Sequence, residues 1–174
     1  GLVGAQLVLA DGRLQEAGGI VWGNGEPWNV GRGANPYDPR YSYSREVDYV
    51  SGAALLIRAE LWRQVGGFSP EFSPAYYEDT DLAFKVRAAG HSVRCAPLAR
   101  VVHHEGISHG TGTEVATGFK RYQEINAPLF EQKWAEAFTG PQEPSLQQAD
   151  LVKDRGILGR ALFIDHDTPR PDRD

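Results

Sequence analysis

Residues 47–57 place the heaviest constraint on the fold. Val47, Tyr49, Val50, Ala53, Ala54, Leu55, Leu56 and Ile57 form a near-continuous apolar run. It is far shorter than the ~20 residues that cross a bilayer, and it has the pattern of a strand covered on both faces. Such a strand needs layers of helix, and the sequence supplies them. Residues 59–65 have a helical period in Leu61, Trp62 and Val65 and stop at Gly66-Gly67. Residues 78–89 carry Glu78, Asp79 and Asp81 at their start, Lys85 and Arg87 later, and Gly90 behind them. That charge order complements a helix dipole. Residues 4–9, 14–22, 92–95 and 99–102 read as strands, and Gly18-Gly19 mark a bulge or close backbone approach in the second. A helical region over 114–138, with Phe119, Tyr122, Ile125, Leu129, Phe130 and Trp134 on one stripe, is expected to bend at Pro128. Alternating strands and helices predict the α/β class. Residues 23–44 read as a long loop rich in Gly, Pro and aromatics, of the length that functional lids have.

Composition removes several function classes. The chain has 174 residues and a net charge of −5, with no long run of like charge, so it lacks the basic face that nucleic acid requires. No segment reads as a signal peptide or a transmembrane span. The single cysteine, Cys95, excludes an internal disulfide and suits a reducing compartment. There is no methionine, and the chain opens directly on the strand-like Gly1-Leu2-Val3-Gly4. The expectation is an internal piece of a longer protein, with a cytoplasmic location.

Three stretches can carry chemistry. In Tyr76-Tyr77-Glu78-Asp79-Thr80-Asp81-Leu82, acids at a helix start serve as ordinary capping and dipole partners, or Asp79 serves as a general base facing a cleft. In Val101-Val102-His103-His104-Glu105-Gly106, a strand ends in a histidine pair that is either simply hydrogen-bonded or a source of one metal ligand. No Cys or His stands at structural-zinc spacing. In Val50-Ser51-Gly52-Ala53-Ala54, small residues admit either a packed helix or a ligand.

The order of these segments is more specific than any one of them. Val47-Asp48-Tyr49-Val50-Ser51-Gly52-Ala53, Gly66-Gly67-Phe68, Tyr77-Glu78-Asp79-Thr80-Asp81-Leu82, Arg87-Ala88-Ala89-Gly90 and His103-His104-Glu105-Gly106 follow one another. Together they resemble family 2 glycosyltransferases of the GT-A fold, in particular the rhamnosyltransferase-like bacterial members, over residues 1–138. Asp11-Gly12-Arg13-Leu14-Gln15 and Ala17-Gly18-Gly19 resemble the segment that follows the donor site in those enzymes. The resemblance implies a partial GT-A, Rossmann-like sheet with flanking helices, the N-terminal nucleotide-binding half being absent. It makes Asp79 the catalytic base, Glu78 an acceptor-orienting partner, and His103 the ligand of a divalent ion (manganese or magnesium) on the donor diphosphate, with His104 as the neighbouring alternative. Ser51, Gly52 and Ala53 would line the floor between donor and acceptor, Trp28 and Tyr77 would contact sugar, and residues 106–113 would form a flap.

The implied reaction moves a sugar from a nucleoside-diphosphate sugar to a saccharide or lipid-linked acceptor, with inversion, in surface polysaccharide synthesis at the inner face of the membrane. The family's Asp-x-Asp metal motif lies upstream of the matching residues. The 174 residues alone are therefore expected to be inactive and to hold neither metal nor donor. Residues 139–158 read as a linker, and residues 159–174, through Leu162-Phe163-Ile164-Asp165-His166-Asp167, resemble the start of a second glycosyltransferase domain of the GT-B type. Two other readings compete. One is a non-catalytic carbohydrate-binding or scaffold module that keeps the acceptor half; the other is a metal-dependent phosphohydrolase built on Asp79, Asp81 and His103.

Overall fold

A computed structural model describes residues 1–104, 121–139, 141–154 and 157. Its strands are β1 (Leu2–Val8), β2 (Leu14–Glu16), β3 (Gly19–Val21), β4 (Pro27–Asn29), β5 (Arg45–Glu46), β6 (Leu55–Ile57) and β7 (Val93–Val102). Its helices are α1 (Ala59–Val65), α2 (Glu78–Ala88), α3 (Arg121–Trp134) and α4 (Leu146–Val152). The main sheet runs β2-β1-β7-β5, and β6 pairs with the first half of β1. β1 and β7 are parallel and every other pairing is antiparallel, so the α/β reading holds as a mixed sheet with helices. Parallel neighbours need a long crossover, and α1 and α2 lie within it. Among the described residues no helix is long and apolar enough to cross a membrane.

The apolar run at 47–57 departs from the expected strand. Only Leu55–Ile57 is a strand; Val47, Tyr49 and Val50 are buried from an irregular segment. Glycines make this possible. A Cβ on Gly18 would lie 2.7 Å from Val47 Cγ1, one on Gly19 would overlap the Tyr49 ring, and one on Gly4 would overlap Val50. The segment therefore packs directly on backbone and gains burial without a full ladder; Gly19 N–H donates to Tyr49 O at 2.9 Å. The same glycines split the expected 14–22 strand into β2 and β3.

Both central helices end as the sequence indicates. α1 stops at Gly66 in the left-handed region (φ 79°), and α2 spans Glu78–Ala88 before Gly90. The two short strands expected at 92–95 and 99–102 are one strand, β7, whose register against β1 jumps between Ala96 and Arg100. Pro128 does not break the helix: α3 runs through it from Arg121 to Trp134. The polar stretch after residue 138, which lacks helical periodicity, nevertheless contains α4, and Asp154 behind it accepts from Tyr43 Oη at 2.6 Å. The start of the expected 114–138 helix, the 106–113 flap and residues 159–174 lie outside the described residues.

The core gathers Leu2, Leu14, Trp22, Phe72, Leu82, Val86, Val93 and Phe130. Phe130 of α3 is fully buried, with its ring 5.1 Å from that of Tyr77 and 5.2 Å from that of Phe84. α3 thereby holds the connection that leads into α2.

Candidate functional site

The start of α2 is set by an unusual backbone. Tyr76 and Tyr77 both have φ 69°, a left-handed conformation that bulky residues adopt only when their surroundings impose it. The surroundings are visible. Buried Asn126 of α3 donates from Nδ2 to the carbonyls of Phe72, Ala75 and Tyr76 at 3.2, 2.9 and 2.9 Å. The Tyr77 side chain is buried against Phe130. The turn so fixed presents Glu78 and Asp79 to the loop at residues 51–54.

Asp79 accepts from the Gly52 amide through Oδ2 at 2.8 Å, and through Oδ1 from the Thr80 amide and hydroxyl at 2.7 and 3.2 Å. Burial raises its pKa above the ordinary range, against the lowering effect of those donors. Glu78 is half-buried, and burial followed by the charge of Asp79 pushes it up to about 7. Its Oε2 is buried with no hydrogen-bond partner among the described residues. A Cβ on Gly52 would stand 3.5 Å from Asp79 Cβ and 3.9 Å from Glu78 Oε1, so the glycine faces both acids. No lysine or arginine among the described residues pairs with either. Two adjacent carboxyl groups without a cation, one of them short of a partner, can accept a proton or a hydroxyl hydrogen.

Sequence reasoning passed over Glu16 of β2, which is 1% exposed and accepts from the Ser51 amide at 2.9 Å. Burial pushes its pKa up to about 8, the Ser51 amide acting the other way and Asp79 adding to the rise. The available signal was an acid flanked by Leu14, Ala17 and Gly18-Gly19, where a strand should be apolar. Asn29 was also missed; it accepts from Tyr49 Oη at 2.7 Å.

The other expected site residues are placed as follows. Ser51 is half-buried, Gly52 and Ala53 are exposed, and Ala53 N–H donates to Ser51 Oγ at 3.2 Å. His103 follows β7; its amide donates to Val8 O at 2.9 Å, and its Nδ1 faces Gln15 Oε1 at 3.1 Å. Gln15 is the extra residue of a β-bulge, since Leu7 pairs with Glu16 and Val8 with Leu14. A bulge re-aims a side chain. Adjacent positions of β2 therefore connect His103 on one side and the Ser51–Asp79 cluster on the other. In the tautomer that donates Nδ1–H to Gln15, the other ring nitrogen has a lone pair that a cation could use. His104 is exposed. Among the described residues no three His, Cys, Asp or Glu side chains form a group able to hold a metal.

Trp28 packs edge-on against Trp22 at 5.3 Å and donates to Glu26 Oε1 at 2.8 Å. Burial, and then the charge of Glu26, pushes Tyr77 up to about 12, so its phenol stays neutral. Asp81 has a different use from Asp79. It is fully buried and binds Ser69 Oγ at 2.6 Å, Trp134 Nε1 at 2.8 Å and Lys133 Nζ at 2.8 Å. This closes off the phosphohydrolase reading that relied on it.

No family model matches the chain. It is 37% identical over 115 residues to the uncharacterized protein y4gI of Sinorhizobium fredii, a match covering 63% of this chain and 12% of that protein. It is 30% identical over 114 residues to the O-antigen biosynthesis protein RfbC of Myxococcus xanthus, covering 62% of this chain and 9% of that protein. It is 32% identical over 109 residues to the N-acetylglucosaminyl-diphospho-decaprenol L-rhamnosyltransferase of Mycobacterium tuberculosis, covering 63% and 33%. The chain thus spans between 9% and 33% of the lengths of these curated relatives.

Proposed function

We propose that this chain is the acceptor-side part of an inverting, metal-dependent glycosyltransferase of the GT-A type. Its reaction transfers a sugar from a nucleoside diphosphate to a saccharide or lipid-linked acceptor during surface polysaccharide synthesis. The observation that carries the reading is the pair Glu78–Asp79 at the start of α2, half-buried, facing Gly52 and paired with no cation among the described residues. The names of two relatives, a rhamnosyltransferase and an O-antigen biosynthesis protein, support the same class. On this reading the nucleotide-binding strands and a second glycosyltransferase module belong to a longer protein, at the inner face of the membrane.

The chemistry follows from the residues. A sugar hydroxyl is a weak acid, so its proton must leave as its oxygen attacks the anomeric carbon. Asp79 takes that proton; the new carbon–oxygen bond forms on one face while the bond to the diphosphate breaks on the other. With one base and no carboxylate nucleophile assigned, the displacement is single and inverts the anomeric centre. Glu78, one of whose oxygens has no partner among the described residues, accepts a second acceptor hydroxyl and so orients the sugar. The Ser51–Ala53 turn forms the floor, and Trp28 offers a ring face to sugar. His103 would contribute its free ring nitrogen to a divalent ion on the donor, whose charge offsets that of the leaving diphosphate.

The test is a transfer assay on the longer protein with manganese, nucleotide-activated L-rhamnose and an N-acetylglucosaminyl diphospholipid, together with a panel of other nucleotide sugars. A glycosylated product with inverted anomeric configuration is expected. A product of retained configuration, or sugar binding without turnover for every donor, contradicts the proposal, and the second result favours a carbohydrate-binding module.

A further inference from the structure

Glu16 is a buried carboxyl group that the mechanism above leaves unused. It stands at the end of β2, and its Oε1 accepts from the Ser51 amide at 2.9 Å. The next amide in the chain, that of Gly52, donates to Asp79 Oδ2 at 2.8 Å. Two consecutive peptide groups of one turn are thus divided between two acids, one from the sheet and one from the helix. The peptide unit is planar, so fixing one amide restricts the direction of the next. The turn is tied at its far end as well, where Ala5 N–H donates to Ala54 O at 3.0 Å. We propose that Glu16 is the positioning residue for Asp79, acting through the Ser51 and Gly52 amides. The effect on turnover rests on the transferase reading above; the pairing of the two acids does not.

The donors decide which acid carries the charge. Asp79 accepts from Gly52 N, Thr80 N and Thr80 Oγ1, whereas Glu16 accepts from Ser51 N. Hydrogen bonds to a carboxylate favour its ionised form, so the first proton leaves Asp79 and Glu16 keeps its own at neutral pH. The other titratable groups that feel Glu16 are Tyr49 and Cys95, both raised and neutral, with Arg45 nearby on the Ala17 carbonyl. A neutral Glu16 holds the turn without placing a second negative charge beside the base.

Carboxyl-carbon NMR titration of the 174-residue chain tests the pairing. In Glu16→Gln the midpoint of Asp79 should stay where it is, because Glu16 is neutral while Asp79 titrates. In Asp79→Asn the midpoint of Glu16 should fall by about one unit, because a neighbouring charge is gone. A Glu16 that titrates before Asp79, or whose midpoint ignores Asp79→Asn, overturns the inference. Turnover in the longer protein, with nucleotide-activated L-rhamnose and the N-acetylglucosaminyl diphospholipid, tests the consequence. Glu16→Ala should lower kcat about tenfold or more through misplacement of the base, with acceptor KM changed much less. Glu16→Gln, which keeps the acceptor oxygen, should recover most of that rate, and the shorter Glu16→Asp should not. These last two variants decide the matter if Glu16→Ala does not fold. Equal kcat for the Gln and Asp variants overturns the positioning role. An active Asp79→Asn would instead take the base role from Asp79, and no turnover with any donor would remove the transferase reading; either result leaves the titration of the pair standing.

Discussion

Asp79 and Asp81 are two residues apart on the same helix and share the same acidic motif, yet their surroundings are opposite. Asp81 faces inward and is saturated by Lys133, Ser69 and Trp134, with Lys85 at 3.4 Å. Burial alone would raise its pKa, but those donors outweigh it and the value is lowered. Asp79 faces the 51–54 turn, receives amide and hydroxyl donors with no cation among the described residues, and its pKa is raised. The signs for stability are therefore opposite. Asp81 stabilises the fold fully above its unfolded pKa near 3.8, and that contribution is lost as pH falls through its lower folded value. Asp79, Glu78 and Glu16 bind protons more tightly when folded, so each costs stability as pH rises through its range. One side of the helix start anchors the fold, and the other carries a strain typical of reactive sites.

The contrast can be broken at either side. The largest stability effect is expected at the anchored end: Asp81→Ala takes the buried acceptor from Ser69 Oγ and Trp134 Nε1, while Lys133 keeps Glu71 at 2.7 Å, and should cost about 2–3 kcal/mol in denaturant unfolding. An effect below about 1 kcal/mol would show that Asp81 is not the anchor. Asn126→Ala leaves three carbonyls of the 72–76 turn without their donor. It should cost about 1–3 kcal/mol and should also speed amide exchange at the start of α2. Exchange unchanged there would separate α3 from the site. The smallest stability effect belongs to Gly52→Ala. Its methyl would meet Asp79 Cβ at 3.5 Å and Oδ2 at 3.7 Å, ordinary contact distances without clash. Stability should move by less than about 0.5 kcal/mol, while turnover falls because the methyl stands over both carboxyl groups. Unchanged turnover would place the reacting atoms elsewhere.

The two sides of this comparison were unequally legible in the sequence. α1 and α2 were readable because Gly66 and Gly90 close them and because the charges of α2 run in the favourable order. The acid at position 79 could be singled out, but its separation from Asp81 could not. That difference depends on Lys133 and Trp134, which arrive from α3 more than fifty residues later. The 47–57 run misled by its composition. Its apolar side chains are buried through close approach to Gly4, Gly18 and Gly19, which mimics the pattern of a central strand without its hydrogen bonds. Glu16 stayed hidden for a related reason. It is a single acid within a three-residue strand, and only the fold brings Ser51 to it. α4 lacks an apolar stripe of its own, and the ion pairs of Asp154 and Lys153 behind it gave no periodic signal.

The central claim is that the carboxyl group of residue 79 performs proton removal while that of residue 81 holds the helix. The direct measurement is kcat per folded molecule for Asp79→Asn and Asp81→Asn, side by side in the longer protein. The account expects the first variant to lose about a thousandfold in kcat with its melting temperature preserved or raised. The second should melt lower while each molecule that folds still turns over. Near-normal kcat in Asp79→Asn, or equal losses in the two variants, would contradict it.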